Sequence, residues 1–296
     1  MTFVESEIAS QPECWRQAAE LAAEAPGLPA VGERVAVVGC GTSWFVAQAY
    51  AGLREESGNG ETDAFTASEF PADRPYDRVL AITRSGTTTE VVELLRTLQG
   101  RVPTTTITGD GETDVVQLSG DAIVIEFADE QSVVQTRFAT SALALLRASL
   151  GGDVASLIPQ AVEALAEVIP ADLLTRRQYT FLASGWAIGI ANEAALKMRE
   201  ASLSWTEAYP SMEYRHGPMS ITDDTSAVWI FGEPPAGLVQ QVTEMGGMVV
   251  HAAGRDPMAD LIRAQRVAVA IGLAKGQNPD QPRNLARSVI LAEESA

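Results

Sequence analysis

Cysteine is almost missing from this chain. Its 296 residues include only Cys14 and Cys40, too few and too far apart for a disulfide framework or a zinc site, so both are expected to be reduced and no metal is expected. Basic residues are scarce as well. The 21 Lys and Arg stand against 39 Asp and Glu, a formal net charge of −18, which opposes nucleic acid or an anionic membrane as a partner. No apolar run approaches the length that spans a bilayer, and the N-terminus has no basic-then-apolar signal pattern. These absences predict a cytoplasmic protein. What is present fits a well-buried globular chain, with 46% hydrophobic residues, a mean hydropathy of +0.04 and a length suited to one large domain or two ordinary ones.

Histidine is rare too, with two in the chain, and one of them falls in its most chemically loaded stretch. Asn192-Glu-Ala-Ala-Leu-Lys-Met-Arg-Glu200 is followed by Glu207-Ala-Tyr209 and then by Glu213-Tyr-Arg-His216-Gly-Pro218. Glu193, Lys197 and Glu200 recur at spacings of four and three, so one helix face carries two carboxylates and an ammonium. With His216 in the loop that follows, the stretch holds a base, a charge stabiliser and a proton shuttle. The same spacing also serves a solvated face with an i,i+4 ion pair, and this stretch alone does not separate the two readings. His251, in a strand-and-loop context, is read as structural.

Two glycine/hydroxyl turns in the first half each follow an apolar run: Arg34-Val-Ala-Val-Val-Gly39-Cys-Gly41-Thr42-Ser43 and Arg78-Val-Leu-Ala-Ile-Thr83-Arg-Ser85-Gly86-Thr87-Thr88-Thr89-Glu90. Both read as a buried strand entering a short loop and then a helix, where free amides, the helix dipole and hydroxyls converge on an anion. Singly such turns are weak signals, because Ser and Thr also cap helices. Strands are predicted at 34–38, 78–82, 104–107 and 122–125, with helices at 11–25, 88–99 and 135–150. After a weak centre at 151–171 the alternation resumes, with strands at 179–183, 227–231 and 248–252, a charged helix ending at Ala201, and helices at 237–246 and 261–274. The expectation is a parallel sheet covered by helices, with ligands beyond the carboxyl ends of the strands. Both halves begin strand, glycine/hydroxyl turn, long helix, a repeat of architecture with little residue identity.

Taken in order, the two turns, Glu130-Gln-Ser-Val-Val-Gln-Thr-Arg137, the Glu193–Glu200 helix, Glu213–Pro218 and Asp280-Gln-Pro-Arg-Asn-Leu-Ala-Arg-Ser288 resemble the sugar isomerase (SIS) double-domain family. The likeness runs from Glu7 to Ser288 and is nearest to the isomerase half of glucosamine-6-phosphate synthase and to free-standing sugar-phosphate deaminases and deglycases. The resemblance implies an α/β fold of two flavodoxin-like, three-layer α/β/α subdomains with parallel sheets. Residues 1–165 would bind the sugar phosphate, and 166–296 would carry the catalytic helix and the C-terminal tail.

By the same resemblance Gly41, Thr42, Ser43, Thr83, Ser85 and Thr88 match phosphate and sugar contacts. Val133 and Gln135 match the loop that closes over the sugar hydroxyls, although the synthase has a serine at the second position. Arg84 replaces a glutamine common in the family; it stands beside the phosphate or, as such residues more often do, is exposed or salt-bridged. Glu200 matches the base that moves a proton between C1 and C2, Lys197 the residue beside that chemistry, and His216 the ring-opening acid/base. Arg287 stands where the synthase has its Schiff-base lysine, and a guanidinium cannot attack a carbonyl. No glutaminase domain is recognised in the chain, so synthesis of glucosamine-6-phosphate from glutamine is not expected. The resemblance implies a homodimer with shared active sites, a phosphorylated sugar or amino-sugar substrate and no cofactor. The expected function is a phosphosugar isomerase/deaminase, the alternatives being a plain aldose–ketose isomerase or a non-catalytic sugar-phosphate sensor.

Overall fold

A computed structural model describes residues 1–291. Among the described residues, nine strands form two parallel sheets. In the first, β1 (Val35–Gly39), β2 (Thr62–Thr66), β3 (Arg78–Thr83), β4 (Thr104–Thr108) and β5 (Asp121–Val124) take the order β2-β1-β3-β4-β5. In the second, β6 (Gln178–Ala183), β7 (Trp205–Pro210), β8 (Ser226–Ile230) and β9 (Met248–His251) take the order β7-β6-β8-β9. The first order is flavodoxin-like, and the second repeats it without a fifth strand. The repeat expected from the two strand–turn–helix openings is therefore a repeat of topology.

The helices are α1 (Phe3–Ala9), α2 (Gln11–Leu21), α3 (Thr42–Glu56), α4 (Thr89–Leu98), α5 (Asp114–Leu118), α6 (Arg137–Ser149), α7 (Leu157–Ala166), α8 (Ile188–Ser202), α9 (Leu238–Glu244) and α10 (Pro257–Ala274). Alternate residues of the central strands enter different cores. Val35, Val37, Leu80 and Ile82 of the first sheet and Tyr179, Phe181 and Trp229 of the second share one core with residues of α2, α3, α6, α8 and α10. On the far faces, Ala36, Val38, Val79 and Ala81 pack with α4, and Leu182, Val228 and Ile230 pack with α9. Central strands buried on both faces read as continuous apolar runs, which is how they were recognised.

The reading missed β2 and β7, both edge strands, and α1. It also ran the opening helix to Ala25, whereas α2 ends at Leu21. Pro26 disfavours helical geometry at the residue before it, and the chain turns out of the helix ahead of that point. Among the described residues no helix is long and apolar enough to cross a membrane, and no group of three or more His, Cys, Asp or Glu is placed to hold a metal ion.

Candidate functional site

β1 and β3 are hydrogen-bonded neighbours at the centre of the first sheet. The chain leaves β1 toward β2 on one side and leaves β3 toward β4 on the other, so their carboxyl ends flank the crevice where doubly wound sheets bind ligands. Both glycine/hydroxyl loops open there. In the first, a Cβ on Gly39 would lie 2.7 Å from the Ser43 backbone, which ties glycine to the tight turn, and Gly41 has φ 54°. Thr42 and Ser43 are buried at the start of α3. In the second loop, Thr83 and Ser85 are buried, and Ser85 Oγ accepts from Thr87 N at 3.3 Å. Thr88 is the N-cap residue of α4, yet its side chain makes no capping hydrogen bond, and no side chain caps α3. The ordinary explanation for hydroxyls at a helix start is absent here.

The charged helix α8 is not a solvated face. Glu193 and Lys197 are 3% and 1% exposed at their side chains, while Glu200 is 18% exposed. Lys197 Nζ donates to Thr42 Oγ1 at 2.9 Å, joining α8 to the first glycine turn. The same ammonium donates to Glu200 and lies 3.5 Å from Glu193. α8 reaches this position because Gly189 lets it close on α3: a Cβ there would stand 2.4 Å from the Phe45 carbonyl oxygen. Burial pulls the Lys197 pKa down, but Glu193 and Glu200 outweigh it and hold the ammonium charged. Glu193, with neither carboxylate oxygen in a hydrogen bond, is pushed up by burial to about 7 against the pull of Lys197. Its spacing puts it on the charged helix face, but spacing does not reveal burial, so the sequence alone does not assign it to the site.

Arg84 does not reach out as a surface cation. It is buried, its Nη1 donates to the Ser132 and Val133 carbonyls at 3.0 and 3.2 Å, and its Nη2 donates to the Arg287 carbonyl at 2.7 Å. Of the two ordinary fates expected for it, exposed or salt-bridged, it has the second, with Glu130 at 3.9 Å. Burial lowers its pKa. Arg84 thus staples the second glycine loop to the Val133–Gln135 loop and to the C-terminal tail. Val133 N donates to the Asp280 carbonyl at 2.9 Å, and Gln135 has a buried Oε1 without a partner. Arg287, partly exposed, makes an ion pair with Asp129 at 2.6 Å and a hydrogen bond to the Glu130 carbonyl. Asp129 was not anticipated; it lies 158 residues from Arg287 in sequence.

His216 stands apart from this cluster. It ends a 3-10 turn (Glu213–His216) after the edge strand β7 and is exposed. None of the hydrogen bonds among the described residues involves its ring.

Two doubly wound parallel sheets, with a hydroxyl-lined crevice facing a buried Glu–Lys–Glu helix face, define the class: an α/β protein of phosphosugar isomerase fold. No family model matches the chain. It is 27% identical over 355 residues to glutamine–fructose-6-phosphate aminotransferase (isomerizing) of Caulobacter vibrioides, covering 98% of this chain and 59% of that protein. It spans about half the length of the other curated relatives of that kind. Among solved structures, glucosamine-6-phosphate deaminase of Thermotoga maritima superposes with a TM-score of 0.82 at 24% identity, covering 98% of this chain and 100% of that one. Tagatose-6-phosphate ketose/aldose isomerase of Escherichia coli gives 0.76 at 20% identity, covering 100% and 97%. These relatives and folds support the resemblance to the SIS double-domain family read from the sequence.

Proposed function

We propose that this chain is an isomerase/deaminase of an amino-sugar or fructosamine 6-phosphate. Residues 1–165 hold the phosphate and sugar with Gly41, Thr42, Ser43, Thr83, Ser85 and Thr88, while 166–296 supply the reacting groups. The chemistry begins with ring opening by His216, contributed by the partner subunit of a homodimer. Glu200 then moves a proton between C1 and C2, which converts a 2-amino aldose into the ketose imine. Water adds to the imine carbon and the amine leaves, giving the ketose phosphate. Lys197 holds Glu200 in place through their hydrogen bond and faces the oxygen that gains charge as the proton moves.

The observation that carries this reading is the position of Lys197 Nζ, 2.9 Å from Thr42 Oγ1 in the ligand crevice and hydrogen-bonded to Glu200. It couples the anion cradle to the only member of the α8 triad with appreciable exposure. Arg287 supports hydrolysis of the substrate's own imine and not transfer through an enzyme imine, because a guanidinium is not a carbonyl nucleophile.

The test is release of ammonia or amine from a panel of amino-sugar and fructosamine phosphates, with solvent-deuterium incorporation at C1 or C2 followed in parallel. Glu200→Gln should lower exchange by roughly 10²–10⁴-fold while leaving substrate binding intact. Wild-type exchange in that variant would remove Glu200 from the role of base. Exchange on neutral sugar phosphates with no amine released from any substrate would establish the plain aldose–ketose isomerase instead.

A further inference from the structure

The C-terminal tail brings a hydroxyl of its own to the second glycine loop. Ser288 Oγ lies 3.0 Å from Thr87 Oγ1 and 3.4 Å from Thr88 Oγ1, and Thr87 Oγ1 lies 3.2 Å from Ser85 Oγ. Backbone bonds on either side of Ser288 set this register. Arg84 Nη2 donates to the Arg287 carbonyl at 2.7 Å, Thr89 N donates to the Val289 carbonyl at 3.1 Å, and Leu291 N donates to Thr89 Oγ1 at 2.9 Å. Ser288 is therefore fixed over the loop by three bonds that do not use its side chain.

The four hydroxyls of Ser85, Thr87, Thr88 and Ser288 are linked to one another, and none of them donates to a carboxylate among the described residues. The Nε–H of Arg84, the residue before Ser85, is buried without an acceptor. A group of donors that lacks a strong acceptor suits a ligand rich in acceptor oxygens, and the start of α4 adds the favourable dipole. We propose that Ser288 is a further ligand of the substrate phosphate, so that the tail and the α4 loop grip the phosphate from two sides. This rests on the reading of the Ser85–Thr88 loop as the phosphate site. It gives the tail a specificity role that does not depend on the side chain of Arg287: tail seating and phosphate binding become one event.

The experiment uses inorganic phosphate as a competitive inhibitor against the phosphorylated amino-sugar, with the wild type and the Ser288→Ala, Ser288→Thr and Ser85→Ala variants. Loss of one hydrogen bond to a dianion should raise both the inhibition constant of phosphate and KM about 10-fold in Ser288→Ala. kcat should change little, and Ser288→Thr should restore most of the loss. If Ser288→Ala lowers kcat but leaves the inhibition constant unchanged, the residue only seats the tail and the proposal is overturned. If Ser85→Ala weakens phosphate and Ser288→Ala does not, the phosphate loop stands without Ser288. If inorganic phosphate fails to inhibit the wild type and unphosphorylated sugar is turned over equally well, the reading beneath the proposal falls with it.

Discussion

Glu193 is the side chain whose chemistry departs furthest from what its position in the sequence suggests. It is a carboxylate in the middle of a helix, buried, unsatisfied by hydrogen bonds and 3.5 Å from Lys197. Burial raises its pKa from 4.5 to about 7. For an acid with a raised folded-state pKa, the folded protein holds the proton more tightly than the unfolded chain. The stabilising contribution is therefore complete below about 4.5 and is lost as pH rises through about 7. Glu193→Gln cannot titrate, so the difference in melting temperature between wild type and variant should move in favour of the variant between pH 4.5 and 7.5. Thermal unfolding of both proteins across that window checks it, and a constant difference would show that Glu193 ionises like an exposed carboxylate. The helix face carrying Glu193, Lys197 and Glu200 was legible from spacing, because an α-helix aligns positions three and four apart. Which of the three would be buried was not legible. That depends on α3, which supplies Thr42 from more than 150 residues away, and a helix face against solvent has the same periodicity as one against another helix.

The helices that deliver these groups meet through glycine. A Cβ on Gly189 would lie 2.4 Å from the Phe45 carbonyl oxygen of α3, and a Cβ on Gly272 of α10 would lie 2.1 Å from the Ala201 carbonyl oxygen of α8. α8 is thus held at backbone contact on two sides, and its offset from α3 decides whether Lys197 reaches Thr42. Gly189→Ala should force the two helices apart at a cost of about 1–3 kcal/mol in stability, as overpacking does. It should also lower kcat more than it changes KM, because the shift pulls Lys197 from Thr42 while the proposed phosphate loop Ser85–Thr88 is untouched. Denaturant unfolding and steady-state kinetics on one preparation test both effects; unchanged stability would show that the α3–α8 contact yields without strain. At this level the sequence was informative where burial is complete. β1, β3, β6 and β8 are buried along most or all of their length and read as apolar runs, and β4, equally buried, reads as a β-branched run of threonines and Ile107. The edge strands β2 and β7, whose burial is partial and whose residues include Thr62, Asp63, Glu207 and Pro210, carry no such run. In β2 and β7 the polar residues erase the signal, whereas the edge strands β5 and β9 keep Ala122–Val124 and Met248–Val250 and stay legible.

Across the whole chain, a formal charge of −18 leaves the phosphate recognition proposed above to local donors: the loop hydroxyls, the start of α4 and the buried ammonium of Lys197. One proposed reacting group is not gathered there. His216 is exposed at the end of its turn after the edge strand β7, whereas Glu200 and Lys197 face the crevice. In the homodimer proposed above, the ring-opening histidine comes from the neighbouring subunit, and an exposed ring near a sheet edge is available for that purpose. A two-fold axis makes the two active sites equivalent, each built from Glu200 of one protomer and His216 of the other. In a mixed dimer of Glu200→Gln and His216→Ala chains, one site would then carry both lesions and the other neither. When equal amounts of the two variants are unfolded together and refolded, random pairing makes half of the dimers mixed, and each mixed dimer has one intact site of two. Activity should return to about a quarter of the wild-type value, although each variant alone is inactive. The measurement is the refolded activity, with mass analysis confirming that mixed dimers form. Mixed dimers without recovered activity would mean that Glu200 and His216 serve the same chain, and His216 would then have to swing from its exposed turn into the crevice of its own subunit.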